Sequence, residues 1–366
     1  MISQHPLKQF LGLSREWWDH PGTPAHVRES FLSILDCGTI ALGAEVYASA
    51  TEWKLVYHTC KSRFCPSCGQ RATEAWQEEL EAILPDIPYV GMTLTIPEEF
   101  RPILQENRDL LHGIPAMAAE AIQLWARTRY GVRILVVVVQ QTFGGFLNFH
   151  PHLHVMVSAG GLQECKNRWI HRLAWDERGL MRAWRYAVIA FLAEALKRKV
   201  LKPALFGQDL MSIFEIEHKR EWHVFITREM SKAHFLQYAG RYIRRPPIAR
   251  HRLNLVNGRT VEYLAKDTRN DRFQTLRFST ERFLNILKLH VPDAGRHGMR
   301  YFGLLAPRSI TRRLAAVFML LGQKRRPKPS RLDWASLRLK CFGKDPLIDD
   351  QGERMHRVGR LSPQAA

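Results

Sequence analysis

The sequence predicts an α+β protein, and three observations carry that reading. Residues 134–139 and 146–158 are β-branched or alternating runs joined by Gly144-Gly145, the pattern of an antiparallel hairpin. Amphipathic helical spacing, as at Leu180, Trp184, Val188, Phe191 and Leu192, falls between strand runs without the regular strand–helix alternation of a parallel sheet. Four of the six cysteines crowd into residues 37–68, which marks a small metal-stabilised unit ahead of the rest.

In chain order, residues 1–36 are helical in part, with Val27, Phe31, Leu32 and Leu35 at helical spacing. Residues 37–70 carry the cysteines and show little periodicity. Residues 71–84 return to helix, stopped by Pro85. Residues 89–96 alternate and are rich in β-branched side chains, so they form a strand. Residues 102–130 are mostly helix. The hairpin of 134–158 follows, then a helix over 179–199. Residues 212–217 and 222–226 read as a second hairpin, turning at 218–221. A helix over 228–244 is ended by Pro246-Pro247. Short strands near 253–256 and 260–265 and helices over 279–290 and 309–321 complete the folded part. Residues 323–331 are a Lys/Arg/Pro run, the start of a basic, flexible tail. The chain thus divides into 1–85, 86–322 and 323–366.

Composition narrows the function. The 366 residues hold 54 Lys+Arg against 35 Asp+Glu, a net charge of +19. An excess of this size favours a polyanionic partner, most simply nucleic acid. A membrane surface fits less well, because the charge is spread along the chain and not packed onto one helix. Hydrophobic content of 46% argues against a disordered chain. No run approaches the ~20 apolar residues of a membrane span. Residues 1–13 have no apolar signal core, so the expected compartment is the cytoplasm.

In Cys60-Lys-Ser-Arg-Phe-Cys65-Pro-Ser-Cys68 a CxxC knuckle follows a third thiol, and Cys37 lies upstream. A CxxC turn sets two sulfurs on one side of a tight loop. Four thiolates, or three with the imidazole of His58, close a tetrahedral Zn²⁺ shell. Free buried thiols and a thioredoxin-type redox pair are the other readings. No strand leads into this CxxC, which disfavours the redox pair. Lys61, Arg63 and Arg71 interleave with the ligands and suit DNA binding. Cys165 and Cys341 stand apart and are expected to be structural.

The stretch Phe149-His150-Pro151-His152-Leu153-His154 is the second constellation. Strand residues i and i+2 share a face about 6.6 Å apart, so His152 and His154 can meet one ion while Leu153, Val155 and Val157 face a core. His150 lies about 13 Å from His154 by the same rise, too far to join them. A third ligand is expected from the neighbouring strand. Gln141 is preferred over Gln140, with Asn148 next, and an amide oxygen suits Mg²⁺ or Mn²⁺. Histidines satisfied within a sheet are the alternative.

Tyr238 and Tyr242 stand at i and i+4, on one helix face, with Arg241, Arg244 and Arg245 around them. Alone, such a pair reads as core aromatics. Beside a histidine strand, a zinc knuckle and a basic chain, it reads as a pair of nucleophiles.

Four segments together resemble a known group: TCKSRFCPSCG at 59–69, NFHPHLHVMVSAGGL at 148–162, YAGRYIRRPPI at 238–248 and HGMRYFGLLA at 297–306. They resemble the insertion-sequence 91 family of rolling-circle transposases, of the two-tyrosine HUH endonuclease superfamily. The resemblance implies a helical, zinc-binding DNA-binding domain over 1–85 and an HUH-type catalytic domain over 86–322. That second domain is expected to have a central antiparallel β-sheet flanked by helices. It implies His152 and His154 as ligands of a catalytic Mg²⁺ or Mn²⁺, and Tyr238 and Tyr242 as nucleophiles. It implies nicking and rejoining of single-stranded DNA at element ends through a 5′-phosphotyrosine, with target DNA as the second partner. Family members often carry a second Cys-x-x-Cys between the positions of Cys37 and Cys60. This chain has none, which leaves one structural Zn²⁺ at Cys37, Cys60, Cys65 and Cys68. The family also often has a His where Gln141 stands. A replication initiator or relaxase with the same chemistry, or a non-catalytic zinc DNA-binding remnant, are the alternatives.

Overall fold

The computed structural model describes residues 5–201, 210–240, 246–256, 260–267, 270–327, 333, 335–336, 339–340, 343 and 345–363. Two helices open it, α1 (Pro6–Leu13) and α2 (Ala25–Asp36). His5 accepts from the Leu7 amide at the start of α1, where Pro6 occupies the first turn without a wasted donor. The hairpin β1 (Ala44–Ala48) and β2 (Trp53–Tyr57) follows, then α3 (Pro66–Ile83) and β3 (Tyr89–Thr95). Next come α4 (Arg101–Glu106), α5 (Ile114–Tyr130), β4 (Leu135–Phe143), β5 (Phe149–Ser158), β6 (Gly161–Gln163), β7 (Arg168–Ile170) and α6 (Glu177–Lys197). The rest is α7 (Leu210–Lys219), β8 (Val224–Ile226), α8 (Lys232–Tyr238), β9 (Leu253–Val256), β10 (Thr260–Asp267), β11 (Arg272–Ser279) and α9 (Thr280–His290). It ends with β12 (Met299–Gly303), α10 (Pro307–Ile310), α11 (Arg313–Leu320) and β13 (His356–Leu361).

The central sheet has five strands in the order β12-β4-β5-β3-β8, and every neighbouring pair is antiparallel. Its two faces enter different cores. Val90, Met92 and Leu94 of β3, Val136 and Val138 of β4, and Leu153, Val155 and Val157 of β5 pack with Ile122, Trp184 and Phe214 from the helices. Tyr89, Val137, Val139 and Met156 face Trp76, Leu80, Phe235 and Leu314. Burial on both sides explains why β4 reads as an unbroken valine run instead of an alternating one.

A third core joins distant parts of the chain. Phe10 of α1, Trp18 of the segment that follows it, and Phe31 and Ile34 of α2 pack with Cys37, Cys65 and Cys68, and with Val261, Tyr263, Phe283 and Leu284. The cysteine unit is therefore built onto the β9–β10–β11 sheet and α9.

Several expectations need correction. Residues 212–217 lie in α7, not in a hairpin. Their apparent alternation hides the helical set Leu210, Ile213, Phe214 and Glu217, of which Phe214 and Glu217 are buried. Val224–Ile226 is a strand, but it pairs with β3 at the sheet edge. The helix expected from 228 starts at Lys232, capped by Ser231, and is described to Tyr238. The strand β11 escapes the sequence pattern because Arg272 and Gln274 lie on the same face as Leu276 and Phe278, and Arg277 on the other, which breaks the alternation. Residues 356–361, inside the stretch expected to be a flexible tail, instead form β13, which pairs with β1 in a sheet of order β13-β1-β2. Cys165 is exposed, and Cys341 lies outside the described residues. No described helix is long and apolar enough to cross a membrane.

His290 gives a stability prediction. It is buried at the end of α9, its Nε2–H donating to the Leu147 carbonyl at 2.8 Å and Nδ1 lying 3.2 Å from Thr142 Oγ1. Burial, with Arg108 nearby, pushes its pKa down to about 4 from 6.5. The unfolded chain therefore binds a proton that the folded chain refuses between those values. The contribution is complete above about pH 6.5 and fades as pH falls toward 4, worth roughly 3 kcal/mol. Urea midpoints measured from pH 4 to 7 should rise with pH, and His290→Gln should flatten the slope. An equal slope in both proteins would refute the assignment.

Candidate functional site

The four cysteines Cys37, Cys60, Cys65 and Cys68 bring their sulfurs within 4.8 Å of one another. Cys37–Cys68 is 3.5 Å, Cys60–Cys68 3.6 Å and Cys37–Cys65 3.8 Å. A tetrahedral zinc with ~2.3 Å Zn–S bonds needs sulfurs about 3.8 Å apart, so the donor set fits the ion. The fold builds this locally. α2 ends at Cys37, Pro66 starts α3 just after Cys65, and Lys61 takes a positive φ of 54° to turn the knuckle. The backbone N–H groups of Cys60 and Ser62 donate to Cys37 and Cys60 sulfurs at 3.4 Å. Hydrogen bonds from Cys60 and Cys65 hold the Cys37 thiol down to about 7. Those from Cys37, Cys60 and Cys65 hold Cys68 well below the usual thiol range, and the same network pushes Cys60 and Cys65 up. His58 is turned away: its Nδ1 lies 3.0 Å from the Leu42 carbonyl and its Nε2 3.0 Å from Glu45 Oε1.

The second centre lies on the central sheet. His152 and His154 alternate on β5, and their Nε2 atoms are 3.2 Å apart. The His152 Nδ1 lies 2.8 Å from the His150 carbonyl, which can only accept, so Nδ1 carries the proton and Nε2 a lone pair. The His154 Nδ1 is 3.5 Å from Thr93 Oγ1. This outer bonding is what orients ligating imidazoles. Burial lowers the pKa of both rings, that of His154 to about 3, so they stay neutral. Two cis ligands of a cation with ~2.1 Å bonds stand about 3 Å apart, and the pair matches this. With the His154 proton on Nδ1, toward Thr93, both Nε2 lone pairs would be open to a cation.

Register separates the two glutamines of β4. Gln141 pairs directly with His152, whereas Gln140 pairs with Leu153 and points to the other face, donating to the Leu111 carbonyl at 3.0 Å. Gln141 is buried and shares the histidine face. Asn148 sits in the hairpin loop, exposed. The register shifts beyond Gln141, where Pro151 cannot donate to the ladder. His150 stands beside His152, ring centroids 5.1 Å apart, and outside the His152–His154 pair.

Tyr238 closes α8, half-buried. A Cβ on Gly91 of β3 would stand 3.4 Å from Tyr238 Cε1 and 3.2 Å from Thr227 Cγ2. Gly91 is on the histidine face, because Thr93 pairs with His154 and strand faces alternate. The Tyr238 ring therefore lies over that face, one alternate position, about 7 Å, beyond the His154 level. Tyr242, Arg241, Arg244 and Arg245 lie outside the described residues. Of the other cations, Lys61 is exposed and Arg71 Nη2 stands 3.9 Å from Cys68 Sγ. Arg63 crosses to the sheet, where its Nη2 donates to the Gln140 carbonyl at 3.4 Å and fills the space that a side chain at Gly298 would need.

Gly91 and Thr93 were not foreseen as site residues. A glycine inside the strand run Tyr89-Val-Gly-Met-Thr is the signal that could have found the first, since such a glycine marks a close approach.

Residues 136–313 match the family model described as "Putative transposase", and residues 10–96 match the one described as "Transposase zinc-binding domain". The chain is 30% identical over 331 residues to the "Transposase for insertion sequence element IS801" of Pseudomonas savastanoi pv. phaseolicola, across 86% of this chain and 80% of that one. It is 30% identical over 330 residues to the "Putative transposase y4qJ" of Sinorhizobium fredii (strain NBRC 101917 / NGR234), across 85% of this chain and 82% of that one. No solved structure matches it.

Proposed function

Because the chain belongs to the insertion-sequence 91 family of transposases, we propose that it nicks and rejoins single-stranded DNA at element ends through a tyrosine nucleophile. The observation that carries this is the pair of neutral imidazoles, Nε2 to Nε2 3.2 Å, on the sheet face that the Tyr238 ring covers at Gly91. His152 and His154, with Gln141, would hold a divalent ion, Mg²⁺ or Mn²⁺. When bound, such an ion supplies charge to a phosphate oxygen and fixes the phosphate for in-line attack.

The chain's own groups do the rest. Tyr238 Oη attacks phosphorus, the bond to the 3′ oxygen breaks, and the 5′-phosphate stays on the tyrosine. A 3′-hydroxyl then attacks that link and restores the phenol, so the phosphodiester is conserved without an external energy source. Tyr242 is proposed as the second nucleophile, for a second cut in the same site. The +19 charge holds the strand, with Lys61, Arg71, Arg241, Arg244 and Arg245 as candidate contacts. Arg63 is better placed to bridge the knuckle and the sheet.

The test uses labelled single strands carrying candidate element ends, with Mg²⁺ or Mn²⁺, resolved on a denaturing protein gel. A covalent adduct that disappears when Mg²⁺ and Mn²⁺ are omitted and with His152→Ala is expected, while salt-sensitive DNA binding stays within about threefold. An adduct that survives both treatments would sink the metal assignment.

A further inference from the structure

A cleft opens where the zinc knuckle, the end of β4 and the end of α9 meet, and Gln141 lines it. Its walls are apolar: Phe64, Leu111 and Pro115 form the buried floor, and the half-buried Phe143 and Pro247 present the open flat faces. Phe143 is half-buried, its ring edge-on to His290 at 5.8 Å. The lining also includes four arginines: Arg108 pairs with Asp293 at 3.0 Å and Arg296 with Asp109, whereas Arg63 and Arg300 donate to the neutral carbonyls of Gln140 and His112. Apolar plates under a cationic rim are the surroundings that unstacked nucleobases take, with their phosphates on the rim. The place is equally specific. Gln140 and Gln141, whose side chains take opposite faces of β4, both line the cleft, so it opens at the end of that strand; Gln141 pairs with His152 across a strand spacing of about 5 Å, which sets the cleft one strand from the site where the phosphate would react.

We propose that this cleft takes one unstacked base of the single strand, at a nucleotide next to the scissile phosphate, and so sets the sequence preference at the cut. The proposal rests on the cleavage reading above for its location, but it is tested by binding. Single-stranded oligonucleotides with one abasic site, moved position by position across a candidate end, are titrated against the full chain by anisotropy. One position should lose about tenfold in affinity, the loss expected for one stacked base. Phe143→Ala should lose a similar factor on the intact strand and nothing further on that abasic strand. Phe143→Leu keeps an apolar side chain without a flat face and should behave alike, which guards against a folding defect in the alanine variant. Equal tolerance of every abasic position, or losses that multiply in full between variant and abasic strand, would overturn the proposal. Adduct formation on the same strands is scored separately. A position-specific loss without adducts leaves the cleft standing and removes the cleavage reading. Adducts that ignore every abasic position do the reverse.

Discussion

Tyr238→Phe should lower covalent adduct formation on the first strand by a thousandfold or more, the scale on which enzymes lose rate when a nucleophile is removed. Phenylalanine keeps the ring that lies against Gly91, so packing and melting temperature should change little. DNA affinity should stay within about threefold, because spread charge supplies most of it. The measurement is single-turnover adduct formation, with Tyr242→Phe run beside it. Loss with Tyr238→Phe alone assigns the first attack to Tyr238. Loss with Tyr242→Phe alone would make Tyr238 a packed aromatic and move the nucleophile to Tyr242. Wild-type rates in both would end the tyrosine mechanism for this chain.

The second large effect concerns folding. Removing zinc with a chelator, or substituting Cys68→Ser, should unfold the N-terminal unit and loosen what packs on it. Structural zinc contributes on the order of 10 kcal/mol of apparent binding free energy to small domains, and that energy is folding energy. Here Cys37, Cys65 and Cys68 lie in the core that also holds Phe10, Phe31, Tyr263 and Phe283. Loss should therefore reach the β9–β10–β11 sheet and α9, and extend beyond residues 37–68. Hydrogen exchange before and after chelation is the readout, with elemental analysis for stoichiometry. One zinc per chain is expected, since Cys37, Cys60, Cys65 and Cys68 form the one such ligand group among the described residues. Protection unchanged at α9 after complete metal removal would show the two parts to be energetically separate.

Local patterns carried most of the reading. The CxxC spacing, the alternation of His152 and His154, and the Gly144-Gly145 hairpin are features of a few consecutive residues, and strand and helix periods express them directly. The same reliance on short windows produced the error at 212–217. Six residues that alternate are compatible with either period, and only the partners of Phe214 and Glu217 decide between them. Gly91 shows the opposite failure. Its local signal was present, but its purpose depends on a tyrosine 147 positions away.

The sequence by itself supplied the side chains: a four-cysteine set for zinc, a strand with alternating histidines, a pair of tyrosines at helical spacing and a basic chain. Only the tertiary structure decided how these meet. Strand register set Gln141, and not Gln140, across from His152. Helix packing laid Tyr238 on the histidine face. A shared core joined the knuckle to α9, a hydrogen bond tied Arg63 to the sheet, and a backbone ladder paired β13 with β1. The physical reason is range. Side-chain period and ligand spacing follow from bonds along the chain, whereas register and docking follow from which distant apolar faces bury each other, and no short stretch of sequence contains both partners.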